Sequence, residues 1–77
     1  MHLEEIARDR HPSTIAIMKH FAWSEFPEDF QDEAHWVANL AISVMHQLPD
    51  GPELTAGLRK LLEARDCFER AWREVAA

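Results

Sequence analysis

One arginine near the end of the chain lies where an apolar side chain is expected, and its position suggests ligand chemistry. At about 100° per residue, the segment after Pro49 places seven apolar side chains on one helical face. Arg65 falls in the middle of that face, among Leu54, Leu58, Leu61, Leu62, Phe68, Trp72 and Val75. A guanidinium on a packing surface is costly unless an anion meets it there. That anion is either a carboxylate of a neighbouring helix, with Asp32 and Glu33 as candidates, or a phosphate of a ligand.

A second segment, residues 19–23, combines basic and aromatic side chains. Lys19 or His20 could contact a phosphate while Phe21 or Trp23 stacks on a base, and such stacking contributes about 1–3 kcal/mol per base. The alternative is that these aromatic rings pack on the neighbouring helices. Composition favours packing, but the segment lies where the chain leaves its first helix, so its end residues are expected near the surface.

Other reactive side chains do not form a recognisable motif. His35 and His46 lie on one helix face about 16 Å apart along the axis, too far to share a metal ion. Cys67 has no adjacent histidine, and Gly51 and Gly57 are too isolated to form a phosphate-binding loop. We therefore expect no metal, no cofactor and no catalytic residues, and hence a protein that is not an enzyme.

Charged residues on the last helix recur at a spacing of four. Such pairs are ordinary surface ion pairs worth a few tenths of a kcal/mol each. The predicted pairs are Arg59–Glu63, Asp66–Arg70, Glu69–Arg73 and Arg70–Glu74. These residues are expected on a solvated face, and among the charged residues of the last helix Arg65 alone is not.

Prolines and apolar periodicity divide the chain into three helices at roughly 13–21, 27–48 and 52–75. The middle helix has a broad apolar face that runs from Phe30 to Leu48, and the compact turn at residues 49–52 reverses the chain. Two helices joined by so short a link are expected to pack antiparallel. The prediction is an all-α fold, an antiparallel helical hairpin with a short N-terminal helix across it. Residues 1–10 are either a separate turn of helix or a loosely held arm.

Size and charge narrow the classes of function. The chain has 77 residues, 47% of them hydrophobic, and three tryptophans, so one small domain that self-associates to finish burying its apolar surface is expected. The net charge of −6 argues against DNA or RNA as a partner. One cysteine fits a reducing compartment, and neither a signal peptide nor a membrane-spanning stretch is recognisable. We therefore expect a soluble, cytoplasmic protein without a membrane partner.

The second half of the chain resembles a group of small phage proteins common among viruses of actinobacteria. Members show a Leu-Pro turn, a Glu-x-Thr helix start, an Arg-Lys-Leu-Leu-Glu-Ala-Lys-Asp segment and a final Arg-Ala. The matching positions here are Leu48-Pro49, Glu53 and Thr55, residues 59–66, and Arg70-Ala71. Upstream, Phe21-Ala22-Trp23 and Pro27 with Phe30-Gln31 are similar to that group's Phe-Ala-Tyr and Pro…Leu-Gln, so the resemblance covers roughly residues 19–72. Arg65 stands where the group usually has lysine, Trp23 where tyrosine is frequent, and Phe68-Glu69 where the group has small residues.

That group looks like a branch of the helical-hairpin sponges that phages use against CBASS and Thoeris defence. The resemblance implies a cytoplasmic protein of the infected cell that sequesters a cyclic oligonucleotide or cyclic-ADP-ribose-type second messenger without cleaving it. It also implies a homo-oligomer, a hexamer in the better-known branch, with ligand pockets between subunits. On this reading Arg65 and Lys60 hold phosphate, Trp23 and Phe21 cover a base, and His20 or Arg59 lines the rim.

Two rival interpretations remain open at this point. In the first, the chain is a small protein–protein interaction module whose exposed hairpin face docks on another protein, with no small-molecule ligand. In the second, Arg65 is purely structural and pairs with Asp32 or Glu33 across the hairpin.

Overall fold

The computed structural model describes residues 3–76, and every regular element among them is helical. The predicted all-α class is therefore confirmed for this part of the chain. The helices are α1 (Leu3–Ile6), α2 (Pro12–Met18), a 3₁₀ turn (Lys19–Phe21), α3 (Glu28–Gln47) and α4 (Pro52–Ala76).

The two long helices form the main packing unit of the fold. Helices α3 and α4 are joined by only four residues, 48–51, and contact one another and the N-terminal elements. Pro27 and Pro52 lie at the starts of α3 and α4, where a missing backbone N–H is not needed. Acidic residues follow in the first turn of each helix, where they interact favourably with the helix dipole.

Small residues on α3 let the helices approach closely. The buried side of α3 repeats at spacings of three and four and consists of Phe30, Ala34, Ala38, Ala41 and Met45. Three of its five residues are alanines, so the neighbouring helices pack against nearly bare backbone. The largest fully buried side chains of the core include Met18 and Phe21 from the elements laid across the two long helices, Met45 from α3 and Leu58 from α4.

Of the first ten residues, the structure describes residues 3–10, and these contain a separate turn of helix and are not a loosely held arm. Leu3–Ile6 is a single turn of helix, and both Leu3 and Ala7 are buried in the main apolar cluster. Their burial anchors the N-terminal segment because removing those apolar groups from water is favourable. Met1 and His2 lie outside the described residues.

A polar cluster around Asp50 fastens the N-terminal segment to the turn between α3 and α4. The Thr14 hydroxyl donates to Asp50 Oδ1 at 2.8 Å, and the His11 backbone N–H donates to Asp50 Oδ2 at 3.1 Å. Arg10 forms a salt bridge with the same carboxylate and donates to the carbonyls of Met45 and Leu48 at the end of α3. The Thr14 hydrogen bond, followed by the contacts of Arg10 and His11, lowers the pKa of Asp50 below 3.8.

The apolar face assigned to the last helix is only partly correct. Leu54 and Leu58 are buried as predicted, but Phe68 and Val75 are 63% and 88% exposed. The buried side of α4 instead continues from Leu58 through Arg65 and Glu69, so its second half is polar where it meets the rest of the chain. Phe68 and Val75 lie on the flank of that side and have no partner helix within the described chain.

None of the described helices is long and apolar enough to cross a membrane.

Candidate anion-binding site

The site begins with Arg65, which is buried on α4 with only 7% of its surface exposed. Its Nη1 donates to the backbone carbonyl of His20 at 2.6 Å, which ties α4 to the 3₁₀ turn. Its Nε and Nη2 donate to Asp66 Oδ1 at 3.1 and 2.8 Å. The guanidinium also lies over the ring of Phe26, with 4.8 Å between Cζ and the ring centroid, which suits a cation–π contact.

The anion that meets Arg65 within the chain is therefore its own neighbour in sequence. The pairing with Asp32 or Glu33 across the hairpin is wrong, because the guanidinium turns toward the 3₁₀ turn and the carboxylate of Asp66 follows it. Because the Asp66 carboxylate is bonded to Arg65, it does not form the predicted surface pair with Arg70 within the described residues. Arg70 Nη2 instead contacts Cys67 Sγ at 3.2 Å.

Beside Arg65 a cleft of about 370 Å³ opens between the 3₁₀ turn, the loop that follows it and the second half of α4. We call it the cationic cleft. It is lined by Lys19, His20, Ala22, Glu25, Phe26, Pro27, Arg65 and Arg73. Three of these side chains are cations and one is a carboxylate. Two of the cations also contact carboxylates just outside the lining, Arg65 with Asp66 and Arg73 with Glu69, so Lys19 is the cation of the cleft whose charge no close partner offsets among the described residues. A small anion in the cleft responds mainly to these nearest charges, and Lys19 with the outer donors of Arg73 would attract it.

The cations of the cleft differ in how strongly the chain already engages them. Lys19 is exposed, and its side chain makes no hydrogen bond or salt bridge within residues 3–76. Arg73 is largely exposed, but its Nε lies against Glu69 Oε2. Arg65 is engaged through three of its nitrogens. An incoming anion would therefore meet Lys19 and the outer nitrogens of Arg73 first, with Arg65 behind them.

Glu69 corrects another expectation from the sequence. It was predicted to form an ordinary surface pair with Arg73, and the two do lie together, but Glu69 is only 6% exposed. Its Oε2 is buried, and the contact with Arg73 is close without the geometry of a hydrogen bond. A buried carboxylate with so incomplete a partner is costly for the folded state. Glu69 thus resembles Arg65 as a charged residue on a packing surface, which the sequence indicated for Arg65 alone.

The structure places two of the six predicted site residues around the cationic cleft, namely His20 and Arg65. Phe21 is 0% exposed and belongs to the core, so the chain does not present it for stacking on a base. Its burial follows from the 3₁₀ turn, which directs the ring inward onto the cluster that contains Met18 and Leu58. Phe26, five residues later, provides the aromatic wall of the cleft instead.

The remaining predicted site residues lie elsewhere. Trp23 is half-buried and its ring lies 4.4 Å from that of His35, outside the cationic cleft. Lys60 is exposed on α4. Within the described part of the chain, three clefts have cationic side chains in their lining, and Lys60 lines none of them. Arg59 lines two other clefts, one of about 580 Å³ beside the turn that contains Asp50 and one of about 240 Å³ between α2 and α4 that it shares with His20. His20 therefore connects the smaller of these with the cationic cleft, with Arg59 on one side and Arg65 on the other.

Two residues of the cleft were missed by sequence reasoning. Arg73 was treated as half of a surface pair, although its position eight residues after Arg65 places it only about 80° away around the helix. Phe26 was assigned to a break between helices, and nothing in the local pattern shows that its ring turns back onto Arg65. Lys19 was recognised as a possible phosphate contact because of its basic and aromatic neighbours.

Within residues 3–76 no group of three or more histidine, cysteine, aspartate or glutamate side chains is arranged to hold a metal ion. Comparison of the chain with protein-family models, curated proteins and solved structures gives no match. What the site can do must therefore be inferred from its own residues.

Proposed function

We propose that this protein is a non-enzymatic sponge that binds a cyclic nucleotide second messenger and withholds it from the effectors of host immunity. The ligand would be a cyclic oligonucleotide or a cyclic-ADP-ribose-type molecule, and the biological role would be that of a phage protein acting against CBASS or Thoeris defence in the host cytoplasm. The observation that carries the proposal is the cationic cleft, which gathers Lys19, Arg65 and Arg73 on an acidic protein.

The chemistry of the cleft fits a phosphodiester. Lys19 supplies a mobile ammonium, and the outer nitrogens of Arg73 supply planar donors that match phosphate oxygens. Charge-assisted hydrogen bonds of this kind are shorter and stronger than neutral ones. Arg65 lies behind them and is paired with Asp66, and its bond to the His20 carbonyl keeps the 3₁₀ turn in place.

An aromatic wall accompanies the cations. Phe26 is half-buried beside Arg65 and lines the cleft together with Pro27 and Ala22. A nucleobase or ribose needs such an apolar surface, while inorganic phosphate does not. The combination therefore favours a nucleotide over a simple anion, with Phe26 in the role that the sequence assigned to Phe21.

The cleft is also open and small in comparison with a cyclic dinucleotide or trinucleotide. Ligand pockets usually enclose most of their ligand within roughly 300–1,000 Å³. A cleft of about 370 Å³ covers one nucleotide unit, so the rest of a cyclic oligonucleotide would be covered by another subunit. This requirement agrees with the proposed homo-oligomer, which would be a hexamer if it follows the better-known sponges.

A thermal-shift screen tests the proposal. The protein is melted in the presence of cyclic dinucleotides, cyclic trinucleotides and cyclic-ADP-ribose isomers, with linear nucleotides and inorganic phosphate as matched controls. Binding to the folded state alone stabilises it by RT ln(1 + [L]/Kd), about 2.7 kcal/mol at a ligand concentration 100 times Kd. The expected result is a rise in Tm with a cyclic ligand and recovery of that ligand unchanged after the protein is denatured. No shift with any cyclic nucleotide, or recovery of a cleaved product, would contradict the sponge.

The alternative is a protein–protein interaction module with no small-molecule ligand. The observation that favours it is the exposure of large apolar side chains on α3 and α4, among them Trp36, Leu40 and Phe68. Exposed apolar side chains in such density are typical of surfaces that bind another protein. A negative nucleotide screen together with these side chains would make this the better interpretation.

A further inference from the structure

The exposed side of α4 carries a second apolar stripe, separate from the buried one. We define it as Gly57, Leu61, Ala64, Phe68, Ala71 and Val75, whose spacings alternate between four and three residues. This alternation keeps side chains on one line along a helix and is the spacing of a coiled-coil seam. Gly57, Phe68, Ala71 and Val75 are exposed, and Leu61 and Ala64 are half-buried. The stripe spans about 27 Å of helix, and none of the described elements covers its second half.

The order of large and small residues in the stripe is regular. Leu61, Phe68 and Val75 are large, and each is separated from the next by a small residue, Ala64 or Ala71. Gly57 continues the pattern toward the start of the helix. Close helix packing requires large residues to meet small ones, since two large residues in one layer hold the helices apart and two small ones leave a gap.

We infer that the α4 stripe is the contact surface for a second copy of this chain, with the two α4 helices antiparallel. If the pairs are centred on position 66, Gly57 faces Val75 of the second copy, Leu61 faces Ala71, and Ala64 faces Phe68. Every layer then joins one large and one small residue. A parallel dimer would instead place Phe68 on Phe68 and Ala64 on Ala64, so its layers would alternate between crowded and empty.

The charges beside the stripe support the same register. Lys60, Cys67 and Glu74 follow one edge of it at intervals of seven residues, and all three are exposed. In the antiparallel arrangement, residues at this edge meet their counterparts across the two-fold axis. With the axis at position 66, Glu74 of the second copy lies two residues, about 3 Å along the helix, from the position opposite Lys60, within reach of these long side chains. Each end of the dimer therefore carries one complementary ion pair, and the two Cys67 residues lie beside the axis.

Gly57 supplies an independent indication. Glycine in a helix interior is less favourable than alanine, yet a Cβ at Gly57 would meet nothing within 4 Å in the chain itself. No neighbour inside the described chain therefore requires a glycine there. Gly57 lies at the edge of an apolar groove of about 290 Å³ between α3 and α4. Val75 of the second copy would enter at this position, where the absence of a side chain leaves room for it.

This surface is distinct from the cationic cleft. Arg73 lies two residues before Val75 and hence about 160° away around α4. The antiparallel dimer would leave both cationic clefts open, so the inference does not depend on what those clefts bind. It provides one two-fold contact from which a larger even-numbered assembly could be built by a different interface.

Cross-linking of the native cysteine tests the register directly. Wild-type protein is treated with a short bis-maleimide at micromolar concentration and separated under denaturing conditions. We expect a covalent dimer in high yield, because Cys67 is a free, exposed thiol and the only cysteine of the chain. Phe68→Glu should remove the cross-linked dimer while circular dichroism stays helical, and Glu63→Lys, an exposed change on α4 outside the stripe, should leave it in place. A monomer in sedimentation, or an oligomer that Cys67 does not cross-link, would overturn the proposed interface.

Charge exchange provides the second test and does not rely on a thiol. Lys60→Glu places two carboxylates together at each end of the dimer and should raise its dissociation constant about tenfold. The double variant Lys60→Glu with Glu74→Lys restores both pairs and should return the constant to within a few-fold of wild type. If the double variant is weaker than either single one, the two residues do not face each other and the antiparallel register is wrong.

Discussion

Arg65 Nη1 donates to the backbone carbonyl of His20 at 2.6 Å, across 45 residues of chain. This bond closes the 3₁₀ turn against α4 and sets one wall of the cationic cleft. The same guanidinium lies over Phe26 and is neutralised by Asp66. Arg65 is therefore a structural residue in the first place, and any contribution to ligand binding depends on the geometry that it maintains.

The first prediction concerns the stability of Arg65 variants. Arg65→Met would extend the apolar side of α4, but it would leave the His20 carbonyl without its donor. An unsatisfied buried polar group costs about 1–3 kcal/mol. Because the bond to the His20 carbonyl is only part-buried, we expect destabilisation at the lower end of that range rather than the neutral outcome typical of an isolated buried pair. The free energy of unfolding of Arg65→Lys should lie between those of wild type and Arg65→Met, because lysine keeps the charge but cannot donate to both the His20 carbonyl and the Asp66 carboxylate. Urea denaturation measures the free energies.

Arg70→Met is the matched control for that series. Arg70 is an exposed arginine on the same helix and contacts only Cys67 Sγ among the described residues. Its replacement should change the free energy of unfolding by less than about 0.5 kcal/mol. If Arg65→Met is as mild as Arg70→Met, the bond to His20 contributes nothing and the structural role assigned to Arg65 is wrong.

Apolar periodicity predicted the all-α class correctly, but it assigned the wrong buried side to the second half of α4, where charged residues are buried. The pattern of α3 identified Ala34, Ala38 and Met45 as buried because an apolar side repeats at helical spacing. The same reasoning put Phe68 and Val75 on the buried side of α4 and left Glu69 outside. A prediction from apolar periodicity assigns charged residues to the exposed side of a helix, so it cannot identify Glu69 as buried.

Long-range polar contacts were equally beyond the reach of local patterns. Asp50 lies in the predicted turn at residues 49–52, and an aspartate is common in turns, so its presence there suggested no further role. Nothing in the sequence indicates that Thr14 and Arg10 converge on it from the other end of the chain. The two site residues that were predicted and also line the cationic cleft, His20 and Arg65, were found because one is in a basic-aromatic segment and the other interrupts an apolar stripe.

The second prediction is a pH dependence of stability that originates at Asp50. Folding lowers the pKa of this carboxyl below 3.8, chiefly through the Thr14 hydroxyl. A lowered pKa in the folded state means that the ionised form stabilises the fold above the ordinary value, and that this contribution is lost as the pH falls through the folded-state value. We expect Asp50→Asn to lower Tm by a constant amount above about pH 5 and by progressively less below pH 3.8.

Thr14→Val isolates the largest cause of that shift. It preserves the shape of a fully buried side chain but removes the donor to Asp50 Oδ1. Its Tm deficit should also shrink in acid, in step with that of Asp50→Asn. Thr55→Val makes the same chemical change at a half-buried position whose hydroxyl has no hydrogen bond among the described residues, so it serves as the control. A Thr14→Val deficit that is independent of pH would contradict the role of this bond.

The third prediction concerns the buried carboxylate of Glu69. Glu69→Leu removes a desolvated charge whose contact with Arg73 is incomplete and replaces it with an apolar side chain. Removal of one partner of an ion pair is destabilising when the remaining charge is buried, but the Arg73 side chain is 66% exposed and stays solvated without Glu69. We therefore expect a higher Tm, because the desolvated carboxylate is lost and no buried charge is left behind. Glu69→Gln keeps the size and loses only the charge, so it separates electrostatics from packing. A marked loss of stability in both variants would show that Glu69 has a partner that this geometry does not provide.

The last prediction concerns ligand affinity, in which Lys19 and Glu69 should act in opposite directions. Lys19→Ala removes the exposed cation of the cleft and the phosphate contact assigned to it, a charge-assisted bond worth about 1.5–3 kcal/mol, so Kd should rise about ten- to a hundredfold. Glu69→Leu releases Arg73 from its carboxylate, so the same ligand should bind more tightly. Calorimetric titration with the cyclic nucleotide found by thermal shift gives both constants. Arg70→Ala, which removes an exposed cation outside both the cationic cleft and the α4 stripe, is the control, and Lys60→Ala tests the phosphate contact that the resemblance implied. If Lys60→Ala weakens binding and Lys19→Ala does not, the ligand binds at the position that the sequence resemblance implied, and the cationic cleft is not its site.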